Sequence, residues 1–147
     1  MYIPPLRAIC ENAGIDASAL HGPAKIAVPA TLLKFLIQLA VASGDFNEEG
    51  YLHANPDVAD ALRKGVIDDP RVHYIKFGYF EHRRGATPEV DESWYRRTYK
   101  DVGAGISSGL VASAGEHFDA IGCIEGRSPS AAYEVDANEW KSALGKR

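Results

Sequence analysis

The strongest constraint on how this chain folds is internal. Displaced by 44 residues, segment 46–85 aligns without a gap on segment 90–129. Glu48 falls on Glu92, Tyr51 on Tyr95, Asp57 on Asp101 and Val58 on Val102. Gly65 falls on Gly109, His73 on His117 and Gly78 on Gly122, and Glu81 and Arg83 fall on Glu125 and Arg127. Phe46 with Val90, Tyr74 with Phe118 and Phe80 with Ile124 are conservative matches. Glycine, histidine and aromatic residues seldom coincide by chance in one register. A period of about forty residues is typical of helical repeats, which bury their apolar faces on one another.

The repeat sets the domain organisation. Residues 1–45 form an N-terminal segment with an apolar helix, 46–89 the first repeat, 90–134 the second, and 135–147 a C-terminal helix. In that tail Val135-Asp136 resembles Val90-Asp91, and Trp140 falls one residue beyond the place of Tyr95. It reads equally as a capping part-repeat or as a helix in its own right.

Punctuation predicts three short helices per repeat. Asn47 or Asp91 before glutamates suits a helix start. Asn55-Pro56 suits a cap and first position for the second helix. Gly65 and Gly109 suit the left-handed residue after it. Asp69-Pro70 opens the third helix in copy one, and Ser113 to Glu116 has capping-box spacing in copy two. Val72, Ile75 and Tyr79 are expected to form the buried stripe of the third helix, matched by Phe118, Ile121 and Ile124. Gly78 and Gly122, inside that helix, mark a close helix crossing, since glycine otherwise costs helix stability.

Upstream, residues 29–43 form a helix candidate. Leu32, Phe35, Leu36 and Leu39 make one stripe, widened by Leu33, Ile37 and Val41. Such a surface calls for cover, either by the repeats or by a second copy in a homo-oligomer. Leu6 to Ala13 reads as a short helix ending at Gly14, and residues 24–28 read as extended. The expected class is all-α.

Composition removes several functions. A net charge of −4 over 147 residues gives no basic footprint for nucleic acid. His82-Arg83-Arg84 is the nearest approach, and Gly85 ends it as a solvated helix terminus. Cys10 and Cys123 form no CxxC pair, hold no zinc by themselves, and read as free thiols. The start, Met1-Tyr2-Ile3-Pro4-Pro5, lacks the pattern of a secretory signal. Segment 26–41 is too short to span a bilayer and is interrupted by Lys34 and Gln38. A soluble, cytoplasmic chain without a transmembrane segment is the expectation.

The two copies carry a recurring pattern. Copy one reads Tyr51-Leu52, Asn55-Pro56-Asp57-Val58, Gly65, His73-Tyr74 and Gly78. Copy two reads Tyr95, Asp101-Val102, Gly109, His117-Phe118, Gly122 and Glu125-Gly126-Arg127. The pattern resembles short helical repeats found beside bacterial glycosyltransferases, polysaccharide-biosynthesis proteins and some methyltransferases of surface-glycan clusters, and in large secreted bacterial proteins. It covers 46–129 and leaves the N-terminal third unmatched. The resemblance implies an accessory role in surface or exopolysaccharide production, with a protein or glycan partner. It carries over no catalytic or ligand residue. Copy one departs from the pattern at His82, where Gly126 stands in copy two, and copy two departs at Tyr99-Lys100, where Asn55-Pro56 stands in copy one.

For chemistry, His73 and His117 are the foremost candidates, as base, ligand or strut. Structural struts are the favoured reading, because catalysis seldom needs two equivalent histidines. Glu81 with Arg83 and Glu125 with Arg127 read as ion pairs at a helix end, and Asp57 and Asp101 as complements to a helix dipole. Tyr51, Tyr95, Tyr74 and Trp94 are candidate sugar-stacking rings, although helical spacing favours the core for them. The candidate binding set is therefore His73, His117, Tyr51, Tyr95, Tyr74, Trp94, Arg83 and Arg127. Leu32, Phe35, Leu36 and Leu39 are the candidates for self-association. No phosphate-binding loop, dinucleotide fingerprint or GxSxG elbow is present, so no cofactor, metal or catalytic residue is expected. A non-enzymatic binding module leads. The alternatives are a small enzyme using the repeat histidines and a membrane-associated regulatory segment, the latter ranked last because its helix lacks a Lys/Arg face.

Overall fold

A computed structural model describes residues 2–86 and 89–145. All regular structure among them is helical. The chain divides into two compact units, Met1–Ala86 and Thr87–Arg147.

In the first unit, α1 (Leu6–Ala13) ends at Gly14, whose φ of +67° suits a residue without Cβ. A short 3₁₀ turn, Ala17–His21, follows, with the Asp16 carboxylate accepting from the Ser18 amide. Segment 24–28, expected to be extended, joins no sheet. Helix α2 (Ala30–Ser43) comes next. The first copy then supplies α3 (Glu48–Ala54), α4 (Pro56–Arg63) and α5 (Pro70–His73). α5 runs on into one π-helical turn, Tyr74–Gly78. The core joins Tyr51, Val58, Tyr74 and Ala86, flanked by Val41, Phe46, Leu52 and Ile67.

The second unit has the same order: α6 (Glu92–Thr98), α7 (Lys100–Ser107), α8 (Ala114–His117) and a π turn at Phe118–Gly122. A single turn, α9 (Cys123–Glu125), and a 3₁₀ turn, Ala131–Tyr133, lead to α10 (Glu134–Ala143). The core joins Tyr95, Val102 and Ala114, flanked by Val90, Trp94, Tyr99, Ile106, Val111 and Phe118.

The helix starts follow side-chain capping. Asn47 accepts from the Gly50 amide and Asp91 from the Trp94 amide, at 2.9 Å each. Asp69 accepts from the amides of Arg71 and Val72, with Pro70 in the first turn. Ser113 accepts from the Glu116 amide, and the Glu92 carboxylate of α6 takes the two amides before it, those of Ala114 and Gly115. Gly65 and Gly109 both have φ near +70°, at +67° and +77°, as a helix-ending glycine should. Asn55 departs from expectation. It occupies the cap position of α4 but makes no side-chain cap bond. Its amide instead donates to the carbonyls of Tyr51 and Arg84, at 2.7 and 2.9 Å.

The buried stripe of the third helix also differs from the expected one. Val72 and Tyr79 are 42% and 44% exposed, and Ile121 and Ile124 are 49% and 66% exposed. The inward positions are Pro70, Tyr74 and Gly78 in copy one and Ala114 and Gly122 in copy two. A glycine holds the innermost place because the tyrosine of the first helix rests on it. A methyl group at Gly78 would fall on the Tyr51 hydroxyl, and one at Gly122 on the Tyr95 hydroxyl. Apolar periodicity overlooks a stripe that includes glycine.

Helix α2 packs by one edge only. None of its residues is buried. Lys34 lies over the Phe80 ring at 5.0 Å, and Val41 reaches the core of copy one. The Arg71 guanidinium donates to the carbonyls of Ala42 and Gly44, which anchors the end of the helix. Lys34 and Val41 lie two turns apart and share a face, so that edge packs. Leu33, Phe35 and Leu36 stay exposed, and Leu32 and Leu39 are half-buried. Backbone anchoring and one apolar contact, rather than the richest stripe, decide which way the helix faces.

The tail forms helix α10. Asp136 lies inside α10 instead of capping it. Trp140 is 60% exposed where Tyr95 is 0% exposed. Among the described residues no helix is long and apolar enough to cross a membrane.

Overpacking a tight site costs about 1–3 kcal/mol, so Gly78→Ala and Gly122→Ala should each lower unfolding stability by that amount in urea melts. Combining Gly122→Ala with Tyr95→Phe should recover part of the loss, because the hydroxyl is what the methyl strikes. Strict additivity of the two changes would contradict the contact.

Candidate functional site

The repeated residues meet one another. The Tyr51 hydroxyl and His73 Nδ1 share a hydrogen bond of 3.0 Å, and Tyr95 and His117 share one of 3.1 Å. Both phenol rings are 0% exposed. A buried hydroxyl requires a partner, and the histidine one helix away supplies it. Burial pushes both phenols up from the ordinary 10, Tyr95 to about 12, against the opposing pull of Arg83 or Arg127. Tyr74, 7% exposed, packs edge-on against Tyr51 with centroids 5.2 Å apart.

A second shared set closes each copy. Arg83 Nε donates to Glu81 at 2.7 Å, and its Nη1 lies 2.8 Å from an Asp57 oxygen. Arg127 Nε donates to Glu125 at 2.6 Å, and its two terminal nitrogens grip both oxygens of Asp101 at 3.0 and 2.7 Å. A bidentate guanidinium–carboxylate pair is geometrically defined, unlike most surface pairs. The Arg127 bonds hold Asp101 down at about 2, and Arg83 lowers Asp57 in the same way. Glu81 and Glu125 raise their arginines with the aspartates. The aspartates, expected only to complement a helix dipole, thus also form a clasp between the second helix and the segment after the π turn.

Where the copies differ in sequence, the junction is rewired. Asn55 bonds the Arg84 carbonyl in copy one. At the matching place in copy two, the Tyr99 hydroxyl accepts from the Ser128 amide at 2.8 Å. The Arg127 guanidinium lies 4.8 Å from the Tyr99 ring centre, a cation–π contact that copy one lacks the ring to make. Trp94 is half-buried and meets Tyr99 edge-on at 5.9 Å.

The candidate binding residues are therefore brought together as internal wiring. Tyr51, Tyr95 and Tyr74 offer no exposed ring face, and His73 and His117 have Nδ1 occupied. Glu81 and Glu125 pair with arginines rather than joining the histidines. Among the described residues no group of three His, Cys, Asp or Glu side chains could hold a metal ion. Cys10, buried, and Cys123, exposed, are free thiols. Every buried side-chain nitrogen and oxygen among the described residues has a partner. The tyrosine–histidine bond was not expected from sequence. Its signal was the invariant spacing of 22 residues between the two in both copies.

Two pH dependences follow. Asp101 is lowered from 3.8 to about 2, so its stabilisation is present above pH 3.8 and lost as pH falls towards 2. Asp101→Asn should flatten acid unfolding in that window. Tyr95 is raised from 10 to about 12, so its contribution is present below pH 10 and lost as pH rises towards 12. Phenolate absorbance should show a late-titrating tyrosine that Tyr95→Phe removes.

Set against known families, curated proteins and solved structures, the chain matches none of them.

Proposed function

We propose that this chain is a non-enzymatic, cytoplasmic helical-repeat module that binds a protein or glycan partner, as an accessory in bacterial surface or exopolysaccharide production. The observation that carries the non-enzymatic part is the internal use of the shared polar residues. Tyrosine, histidine, arginine and the two kinds of carboxylate in each copy bond to one another, and the same bonds recur 44 residues on. A catalytic group would keep a reactive atom aimed at a substrate. These groups instead hold three short helices together. The biological setting rests on the resemblance of the repeat pattern.

Binding then falls to surfaces outside the shared wiring. The exposed apolar residues of α2 and the region around α10 are the two that differ between the copies. Self-association through Leu32, Phe35, Leu36 and Leu39 is the homo-oligomeric form of the same reading. Light scattering should then show a mass that rises with concentration and returns to the monomer value in Phe35→Glu.

Biolayer interferometry of the whole chain against two panels, bacterial surface polysaccharides and the glycosyltransferases that make them, tests the reading. Saturable binding in one panel is expected. His73→Ala and His117→Ala should lower the melting temperature by several degrees, in keeping with loss of a buried bond worth about 1–3 kcal/mol. They should leave binding by the residual folded protein intact. Absence of binding in both panels would overturn the reading, and so would a turnover that either histidine variant abolishes without loss of fold.

A further inference from the structure

One face of α10 carries chemistry that the repeat wiring leaves unused. Tyr133 precedes the helix, and Asp136, Ala137 and Trp140 follow it at three, four and seven residues, so all four share that face. Together with Phe118 of the second copy they line one cleft of about 280 Å³. The Phe118 ring is held from behind, edge-on to the buried Tyr95 with centroids 6.1 Å apart. Trp140 remains 60% exposed. The Lys141 stem lies beside the copy, with its Cγ 3.3 Å from where a side chain on Gly126 would begin.

The spacing sets the size of what fits. Seven helical residues rise about 10 Å, so the Tyr133 and Trp140 rings are attached two turns apart. Ala137 lies between them and contributes only a methyl group. A group midway between the rings is about 5 Å from each, within the ~6 Å at which an aromatic face attracts a cation.

The charges set the sign. Around the cleft two cations, Arg127 and Lys141, stand against three carboxylates, those of Asp136, Asp101 and Glu125. Arg127 is engaged by Asp101 and Glu125. Lys141 also borders a neighbouring cleft, where Glu125 and Glu134 lie. The excess is negative, and aromatic faces are negative as well, so an anion is disfavoured. A metal ion or a primary ammonium ion needs several oxygen partners. Asp136 supplies the one carboxylate of this lining among the described residues. A neutral apolar group would strip water from that carboxylate without compensation. A quaternary ammonium ion has a diffuse positive charge in an apolar shell and no N–H to satisfy. It meets the rings and the carboxylate at once.

We infer that this cleft binds a quaternary ammonium ion, seated between Tyr133 and Trp140, with Phe118 as the third wall and Asp136 as the counter-charge. In the 44-residue register the places of Tyr133, Asp136 and Trp140 are taken, after copy one, by Glu89, Glu92 and Arg96, which supply no ring. Each chain therefore holds one such site. The site concerns a small cation and does not depend on the protein or glycan partner proposed above.

The test is an NMR titration of the whole chain with choline chloride, read at the two indole resonances. The controls are sodium chloride at equal ionic strength and the neutral isostere of choline in which carbon replaces nitrogen. Choline should shift the Trp140 indole, leave the half-buried Trp94 indole in place and saturate at one ion per chain. The neutral isostere should bind about tenfold more weakly, and sodium chloride should be silent. Trp140→Ala should weaken choline about tenfold, with the amide spectrum elsewhere unchanged because the side chain is exposed. Asp136→Asn, also at an exposed position, should weaken choline severalfold and leave the isostere unaffected, a split that a merely structural role would not give. Equal binding of choline and its isostere would overturn the cation. Equal shifts at both indoles, choline binding that persists in Trp140→Ala, or no saturable shift would overturn the site, while the polysaccharide and glycosyltransferase panels decide the wider reading separately.

Discussion

The fold of each repeat depends on a tyrosine hydroxyl set above a glycine. A phenol ring as buried as Tyr51 or Tyr95 contributes a large apolar area to a small core, but its hydroxyl must not be stranded. The solution takes three residues at once. Glycine 78 or 122 leaves room for the oxygen, histidine 73 or 117 bonds it, and the π turn carries the chain between them. Remove the space and the ring must move; remove the histidine and a buried polar atom is left without its partner. This mutual dependence accounts for why Tyr, His and Gly keep their register in both copies.

The arginine clasp depends on that arrangement. The segment after the π turn emerges beside the start of the second helix, and there Arg83 or Arg127 reaches an aspartate in its first turn. A helix N-terminus already favours a carboxylate, so the aspartate satisfies the helix and the guanidinium together. The junction tolerates different chemistry as long as the strand of chain after the clasp is held. Asn55 does this with its amide and Tyr99 with its hydroxyl. Each copy is thereby a closed unit whose common residues are engaged in holding it together.

Function is then expected at what the copies do not share. Copy one is preceded by α2, which packs by one edge and keeps Leu33, Phe35 and Leu36 in solvent. Copy two is followed by α10, whose Lys141 stem lies beside Gly126 and whose Trp140 is 60% exposed. These additions carry the proposed binding.

Much of the organisation could be read from residue order. The 44-residue register, the three helices per copy, the caps at Asn47, Asp69, Asp91 and Ser113, and the left-handed glycines all follow from local chemistry, where a side chain acts on backbone within one turn. The close approach at Gly78 and Gly122 was also legible, because glycine inside a helix needs a reason. Three things were decided only by tertiary structure. The inward face of the third helix includes a glycine, so hydrophobic spacing pointed to Val72, Tyr79, Ile121 and Ile124, which stand exposed. The orientation of α2 was set by Arg71 bonding carbonyls at its end and by Val41 reaching the core, contacts between residues far apart in the chain. The meeting of α10 with the second copy, where the Lys141 stem lies beside Gly126, likewise joins residues well separated in order. Local sequence determined which elements form; which faces meet, and what space is left between them, depended on long-range partners that periodicity does not encode.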